Sequence, residues 1–231
     1  MSLYGTRTAK ILRLAIPFII VPSVILGGYY AFGAKAYSYI TFALLILSLL
    51  LFFLVVEKRK IGTRRSVVVA VMTALAVAGR LIFKVIPGFT PITAMAVISG
   101  MYLGPESGFL VGALSALLSN FYAGQGPWTP FQMFAWGIVG LLGGILAPIL
   151  KKHKLCCVIY GIFAGILYSL ILDIWTVLWY GEGFSVAAYL TAIATALPST
   201  AMYCLSNIIF LLLCVGPFGT KLERIRLKYG I

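Results

Sequence analysis

Few side chains in this sequence are suited to catalysis. Its one histidine, His153, lies in the basic run Lys151-Lys152-His153-Lys154, where a solvated loop residue is expected. No HExxH zinc motif, glycine-rich phosphate loop or acidic metal cluster is present. The four cysteines are at positions 156, 157, 204 and 214, a poor pattern for a metal or a disulfide. The sequence therefore predicts a non-enzyme with no intrinsic cofactor and no metal.

Polar groups that could bind a ligand are concentrated in a segment rich in glycine and proline, residues 120–132. Its glycines and prolines prevent a continuous helix. Within a membrane, irregular backbone is tolerated only where it lines a cavity or is buried in protein. The segment is therefore expected to line a cavity, and the alternative interpretation is a plain extracellular turn. The candidate binding residues from this segment and the helix after it are Asn120, Gln125, Trp128, Gln132 and Trp136.

Two charged residues, Arg80 and Asp173, are expected at membrane depth. A charge at the bilayer centre costs about 2.5–3.5 kcal/mol on the insertion scale, so each should face a partner, a cavity or an interface. Phe83 and Trp175 follow them closely and could present aromatic rings to the same pocket. Snorkelling of Arg80 to the headgroups and a structural Arg80–Asp173 pair are equally open.

The composition requires most of the protein surface to face lipid. Of the 231 residues, 62% are hydrophobic and only 10% are charged, and the mean hydropathy is +1.07. Soluble domains have about a quarter charged residues, so a soluble enzyme, a disordered chain and a disulfide scaffold are excluded. Residues 107–150 contain no charge, and this stretch is about twice the length of a membrane-spanning helix.

The basic residues predict the topology. Fifteen of the eighteen lie in four clusters, within residues 7–13, 58–65, 151–154 and 221–228. Because Lys and Arg near span ends stay in the cytoplasm, all four clusters belong on one side, and the charge indicates topology and not nucleic acid. Eight spans satisfy this condition with both termini cytoplasmic: about 14–33, 37–56, 66–84, 91–103, 106–123, 130–150, 155–180 and 187–215. The predicted fold is an all-α polytopic membrane protein.

The chain divides into an N-terminal transmembrane hairpin, 1–60, and a six-helix substrate-binding membrane domain, 61–231. All four tryptophans and nearly all small-residue repeats lie in the second part. Most of these repeats predict close helix packing inside the bundle. The series Ala70, Ala74 and Ala78 differs, because it begins beside a cytoplasmic basic loop where another protein could dock.

Residues 66–228 resemble the S component of an energy-coupling factor (ECF) transporter, in the vitamin-uptake branch of the ATP-binding cassette systems. One motif that carries the resemblance is the AxxxA pattern in Ala70-Val-Met-Thr-Ala74-Leu-Ala-Val-Ala78-Gly-Arg80. The loop Gly124-Gln-Gly-Pro-Trp-Thr-Pro130 is similar to a subgroup associated with cobalamin or related large ligands. The hairpin departs from the six-helix pattern of this family.

The resemblance implies a division of labour between subunits. This chain would bind a vitamin through its outer loops in the plasma membrane of a prokaryote, while a transmembrane coupling protein and two cytoplasmic ATPases power uptake. It implies cobalamin as the ligand, with a smaller vitamin, a purine or a queuosine-type precursor left open. A gradient-driven carrier that uses Arg80 and Asp173 as coupling charges, and a lipid-interacting assembly protein without transport activity, are the rival functions. The expected ligand site comprises Arg80, Phe83, Asn120, Gln125, Trp128, Gln132, Trp136, Asp173 and Trp175.

Overall fold

The computed structural model describes residues 15–32, 43, 46–47, 62–180 and 184–230. Every regular element in these ranges is helical, which confirms the all-helical prediction. A π-helical turn, Ile16–Ile20, leads into α1, Val21–Phe32. The other helices are α2 (Gly62–Ile82), α3 (Ile92–Leu103), α4 (Pro105–Ala123), α5 (Thr129–Ile145), α6 (Ala147–Leu150), α7 (Lys154–Tyr180) and α8 (Val186–Tyr229), with a 3₁₀ turn at Phe83–Val85.

The helices agree with the predicted spans except at three places. The span predicted at 37–56 lies almost wholly outside the described residues. The span predicted at 130–150 is interrupted at Leu146, because Pro148 has no backbone N–H and its ring clashes with a continuing helix. The last segment is one helix of 44 residues that includes Pro198, as predicted, but it continues past 215 to Tyr229.

Three of the described helices are long and apolar enough to cross a bilayer, judged by length and composition: Arg64–Val85, Lys154–Tyr180 and Val186–Tyr229. Shorter apolar helices occur at Ile16–Gly28, Ile92–Leu103 and Thr129–Ile145. The number of eight spans and the cytoplasmic location of both termini stay predictions.

Helix α3 forms the centre of the bundle. Its sequence has no polar face, and all of its residues except Tyr102 are buried. A helix that is apolar on every side must be surrounded by protein or lipid, and here α2, α4, α5 and α8 pack around it. The last pair of helices, α7 and α8, packs together closely, with Gly161 and Gly165 of α7 against the α8 backbone at Asn207 and Cys204.

Glycines allow the backbones of α3, α4 and α5 to touch. A Cβ atom at Gly100 or Gly108 would collide with the carbonyl oxygen of Gly140, and one at Gly112 would collide with that of Trp136. This packing confirms that the Gly104-Gly108-Gly112 and Gly140-Gly144 repeats lie inside the bundle. Without a hydrophobic drive between helices in lipid, such close contact is a main source of association energy.

Helix α2 has one buried and one exposed face. Arg65, Val69, Met72 and Ala76 are buried against the bundle. Arg65 donates to the Ser107 hydroxyl at 2.9 Å and to the Leu103 carbonyl, so it fastens the start of α2 to the turn between α3 and α4. The stripe Ala70, Ala74 and Ala78 lies on the other face and is exposed at all three positions.

The predicted topology can be tested by labelling single cysteines in a variant whose four native cysteines are replaced by alanine. Tyr122→Cys and His153→Cys place the probes at exposed positions at the two ends of the bundle. An impermeant maleimide added to intact cells should modify the probe at 122, and the probe at 153 only after the membrane is permeabilised. Modification at 153 in intact cells would contradict the eight-span topology.

Candidate ligand site

A cavity of about 230 Å³ lies at the C-terminal end of α2, opposite the end that contains Arg64 and Arg65. Helices α2, α4, α5, α7 and α8 and the connection between α2 and α3 form its wall. Its lining residues are Arg80, Leu81, Lys84, Ile86, Pro87, Gly88, Phe89, Thr90, Ala123, Gln132, Trp136, Tyr168 and Tyr203. The cavity combines two cationic side chains and an amide with four aromatic rings.

Arg80 is held in place by neutral groups. One nitrogen of its guanidinium, Nη1, donates to the Ser119 hydroxyl and to Asn120 Oδ1, the latter at 2.9 Å. The guanidinium carbon lies 5.0 Å from the centroid of the Trp136 ring, within the range of a cation–π interaction. No carboxylate among the described residues lies within salt-bridge distance of Arg80.

Asn120 connects Arg80 to the start of α5. Its side chain is fully buried, and its Nδ2 donates to Gln132 Oε1 at 2.8 Å and to Thr129 Oγ1 at 3.0 Å. A guanidinium contains donors only, so the Asn120 atom that faces Arg80 must be the side-chain oxygen. The NH₂ group of Asn120 must then face α5. The position of Gln132 in the cavity wall is therefore set through Asn120.

The irregular segment between α4 and α5 is closed by its own hydrogen bonds. The Thr129 hydroxyl donates to Gln125 Oε1 at 2.9 Å and accepts from the Gly126 amide at 3.3 Å. Gln125 also donates to the Leu117 carbonyl at 3.0 Å, and the Trp128 ring packs directly over Gly126. These contacts pack the segment against the helix bundle, so it differs from a plain extracellular turn.

Aromatic rings form the inner wall of the cavity. Trp136 and Tyr168 stack with centroids 4.7 Å apart, and Tyr203 packs edge-on against Tyr168 at 4.9 Å. Helices α5, α7 and α8 each contribute one of these rings, so the wall exists only when the three helices are packed.

The connection between α2 and α3 is tied to α8. The Ser206 hydroxyl accepts from the Thr90 amide at 2.8 Å and donates to the Thr90 carbonyl at 3.1 Å. Phe89 contacts both Phe83 and Phe210, with centroid distances of 5.4 and 4.9 Å. These contacts position residues 86–90 along one side of the cavity.

Comparison with known proteins identifies the family. A family model described as the S component of an ECF-type riboflavin transporter matches residues 60–217, more than half of the chain. This chain belongs to the ECF S-component family. It is 32% identical over 171 residues to two UPF0397 proteins of Aliivibrio fischeri, strains MJ11 and ATCC 700601 / ES114, covering 68% of this chain and 88% of each relative. A UPF0397 protein of Aliivibrio salmonicida is 29% identical over 148 residues, 62% of this chain and 78% of the relative. No solved structure gives a significant match.

Membership in the family confirms the general function. An ECF S component is the substrate-binding subunit of a transporter in the plasma membrane of prokaryotes, and it is not itself an ATPase. It associates with a transmembrane coupling protein and with ATPase subunits. The family match does not confirm the cobalamin-type subgroup.

The structure of this S component brings some of the predicted site residues together and separates others. Arg80, Gln132 and Trp136 line the cavity, and Asn120 lies directly behind them. Gln125 lies in the loop network, and Phe83 packs beneath the cavity wall against Phe89 and Phe210.

The three remaining predicted residues are not in the cavity lining. Trp128 and Trp175 form a separate aromatic cluster, edge-on with centroids 5.8 Å apart, and Asp173 is buried two residues before Trp175 on α7. Within the described part of the chain, Asp173 Oδ2 and Trp175 Nε1 have no hydrogen-bond partner. Asp173 and Arg80 do not form a salt bridge there, so the structural pair considered from the sequence is absent from this region.

Several cavity residues were not predicted, among them Lys84, Phe89, Tyr168 and Tyr203. Lys84 could have been predicted from the sequence, because it lies four residues after Arg80 and therefore on the same helical face. Tyr168 and Tyr203 could not have been predicted, since the sequence contains thirteen tyrosines and no local pattern distinguishes these two.

Replacement of Asn120 should destabilise the S component more than replacement of another buried asparagine. Asn120→Ala removes three hydrogen bonds, whereas Asn207→Ala removes one, to the Gly161 carbonyl. Because an unsatisfied buried polar group costs about 1–3 kcal/mol, the melting temperature in detergent should fall distinctly further for Asn120→Ala. Equal melting temperatures for the two variants would show that the Asn120 network contributes little.

Proposed function

We propose that the cavity lined by Arg80, Gln132 and Trp136 holds the transported vitamin of this S component. The observation that supports the proposal is the convergence of charged, amide and aromatic side chains from four helices and the α2–α3 connection on one cavity. Ligand sites are typically apolar concavities with a few placed polar groups, which is the composition of this cavity. The cavity lies about 22 Å along α2 from Arg65, which adjoins a basic cluster predicted to be cytoplasmic.

The size of the cavity favours a ligand smaller than cobalamin. Its volume of about 230 Å³ is below the roughly 300–1,000 Å³ of sites for drug-sized ligands, and cobalamin is larger than such ligands. Cobalamin, the ligand expected from the loop motif, stays a prediction. The family model is described by riboflavin transport, so riboflavin is the first ligand to test.

The exposed stripe Ala70, Ala74 and Ala78 is the proposed docking surface for the coupling protein. Small side chains at a spacing of four leave the backbone of α2 open to a second helix. The stripe and Arg80 lie on the same helix, since Arg80 follows Ala78 by two residues. One helix would therefore contact both the partner and the ligand.

The ligand site can be tested on purified protein in detergent. Riboflavin binding, measured by quenching of flavin fluorescence, should weaken at least tenfold in Gln132→Ala, which corresponds to about 1.4 kcal/mol. Trp128→Ala should weaken binding less, because Trp128 does not line the cavity. A stronger effect of Trp128→Ala would move the site to the Trp128–Trp175 cluster.

If riboflavin does not bind, the ligand should be identified by mass spectrometry after acid release from protein purified together with its coupling protein and ATPases. Recovery of cobalamin would support the expectation from the sequence and contradict the size argument. Ion-driven uptake by proteoliposomes that contain this chain alone would instead support the gradient-driven carrier.

Docking can be separated from ligand binding by Ala74→Trp. An indole on the stripe holds the partner helix away, and dispersion falls steeply with such a gap. The variant should bind ligand with normal affinity but fail to copurify with the coupling protein and fail to support ATP-driven uptake. Ala201→Trp, at an exposed position on α8, is the matched control and should retain both. Normal uptake by Ala74→Trp would exclude the stripe as the docking surface.

A further inference from the structure

The polar groups fixed at the cavity are hydrogen-bond donors. Arg80 donates hydrogen bonds from Nη1 to the Ser119 hydroxyl and to Asn120 Oδ1. Among the described residues, its Nε and Nη2 have no acceptor. Gln132 uses its oxygen to accept from Asn120, so its NH₂ group is the end left for other partners. Lys84 has only donors. The two tyrosine hydroxyls can donate or accept and do not change this bias.

The cavity also has a positive charge, and no acidic side chain among the described residues lines it or forms a salt bridge with Arg80 or Lys84. Lys84 and Arg80 are both in its lining, and no lining residue is acidic. Lys84 lies over the Tyr122 ring at 5.4 Å, as Arg80 lies over Trp136, and both arrangements leave the net charge in place. A partly buried cation without a counter-ion is costly in a low-dielectric surrounding, and a bound anion would offset this cost.

We propose that the cavity selects a ligand with an anionic oxygen group, a carboxylate or a phosphate, which accepts from Arg80 and Gln132 and lies close to Lys84. This inference rests on the proposed function, in which the cavity is the ligand site. The planar guanidinium matches a carboxylate or a phosphate geometrically. The rings of Phe89, Trp136, Tyr168 and Tyr203 fit a flat ring system attached to that group.

Two pairs of probes isolate the charge. Riboflavin and riboflavin 5′-phosphate differ only by a phosphate, and nicotinamide and nicotinate differ by a carboxamide in place of a carboxylate. Affinities for the purified full chain would be measured by flavin fluorescence for the first pair and by calorimetry for the second. The anionic member of at least one pair should bind at least tenfold more tightly than its neutral partner, and the pair that shows this preference distinguishes a phosphate from a carboxylate.

Two variants connect the preference to the residues. Arg80→Gln should reduce the ratio of the affinities for the anionic and the neutral probe to about twofold or less. Because Arg80 also anchors Asn120 and its loss could disturb folding, Lys84→Gln provides an independent test at an exposed position. Lys84→Gln should reduce the preference at least threefold without changing the melting temperature. Added salt should weaken anion binding by the wild type more than by Lys84→Gln, because salt screens exposed charges.

The results separate this inference from the proposed function. If riboflavin binds and Gln132→Ala weakens its binding at least tenfold, but neither pair shows the anion preference, the cavity is the ligand site and the charge inference is wrong. If no anionic probe binds more tightly than its neutral partner, including the case in which none binds, the inference is overturned. An anion preference that survives in both Arg80→Gln and Lys84→Gln would also overturn it.

Discussion

The hydrogen bonds of Asn120 are the interaction on which the candidate site depends. The partly buried guanidinium of Arg80 needs acceptors, and the Asn120 side-chain oxygen provides one while its NH₂ group faces α5. The side chain is fully buried, so water cannot replace it at low cost. Through this single residue, the end of α2, the end of α4 and the start of α5 are held in one arrangement.

The framework that makes this arrangement possible is the close packing of glycines. Gly100, Gly108 and Gly140 bring three backbones into contact around α3, which leaves little space between the helices at the centre. The larger side chains, Trp136, Tyr168 and Tyr203, lie closer to the end of the bundle that contains the cavity. A tightly packed centre and an open end therefore follow from where small and large residues occur.

Helix α2 links the two proposed functions of this S component. One face holds Met72 and Ala76 against the bundle, the opposite face carries the exposed alanine stripe, and Arg80 lies near its end in the cavity. Its start is fastened by Arg65. A helix fixed at its start by the buried Arg65 and near its end by the partly buried Arg80 is suited to present a rigid surface to a partner.

Composition and the spacing of charges were sufficient to predict a helical membrane protein and most helix positions, because long apolar segments have few other stable structures in lipid. Local chemistry also predicted Arg80, Asn120, Gln132 and Trp136 as site residues, because polar groups at membrane depth need a partner or a cavity. The structure places them in the cavity wall or directly behind it. The family match confirmed the resemblance to an ECF S component, whereas the cobalamin-type subgroup indicated by the loop motif stays a prediction. The separation of Asp173 from Arg80 and the parts played by Tyr168, Tyr203 and the 86–90 connection depended on tertiary packing. These features arise from contacts between residues far apart in the chain, such as Trp136 with Tyr168 and Thr90 with Ser206, and no local pattern contains that information.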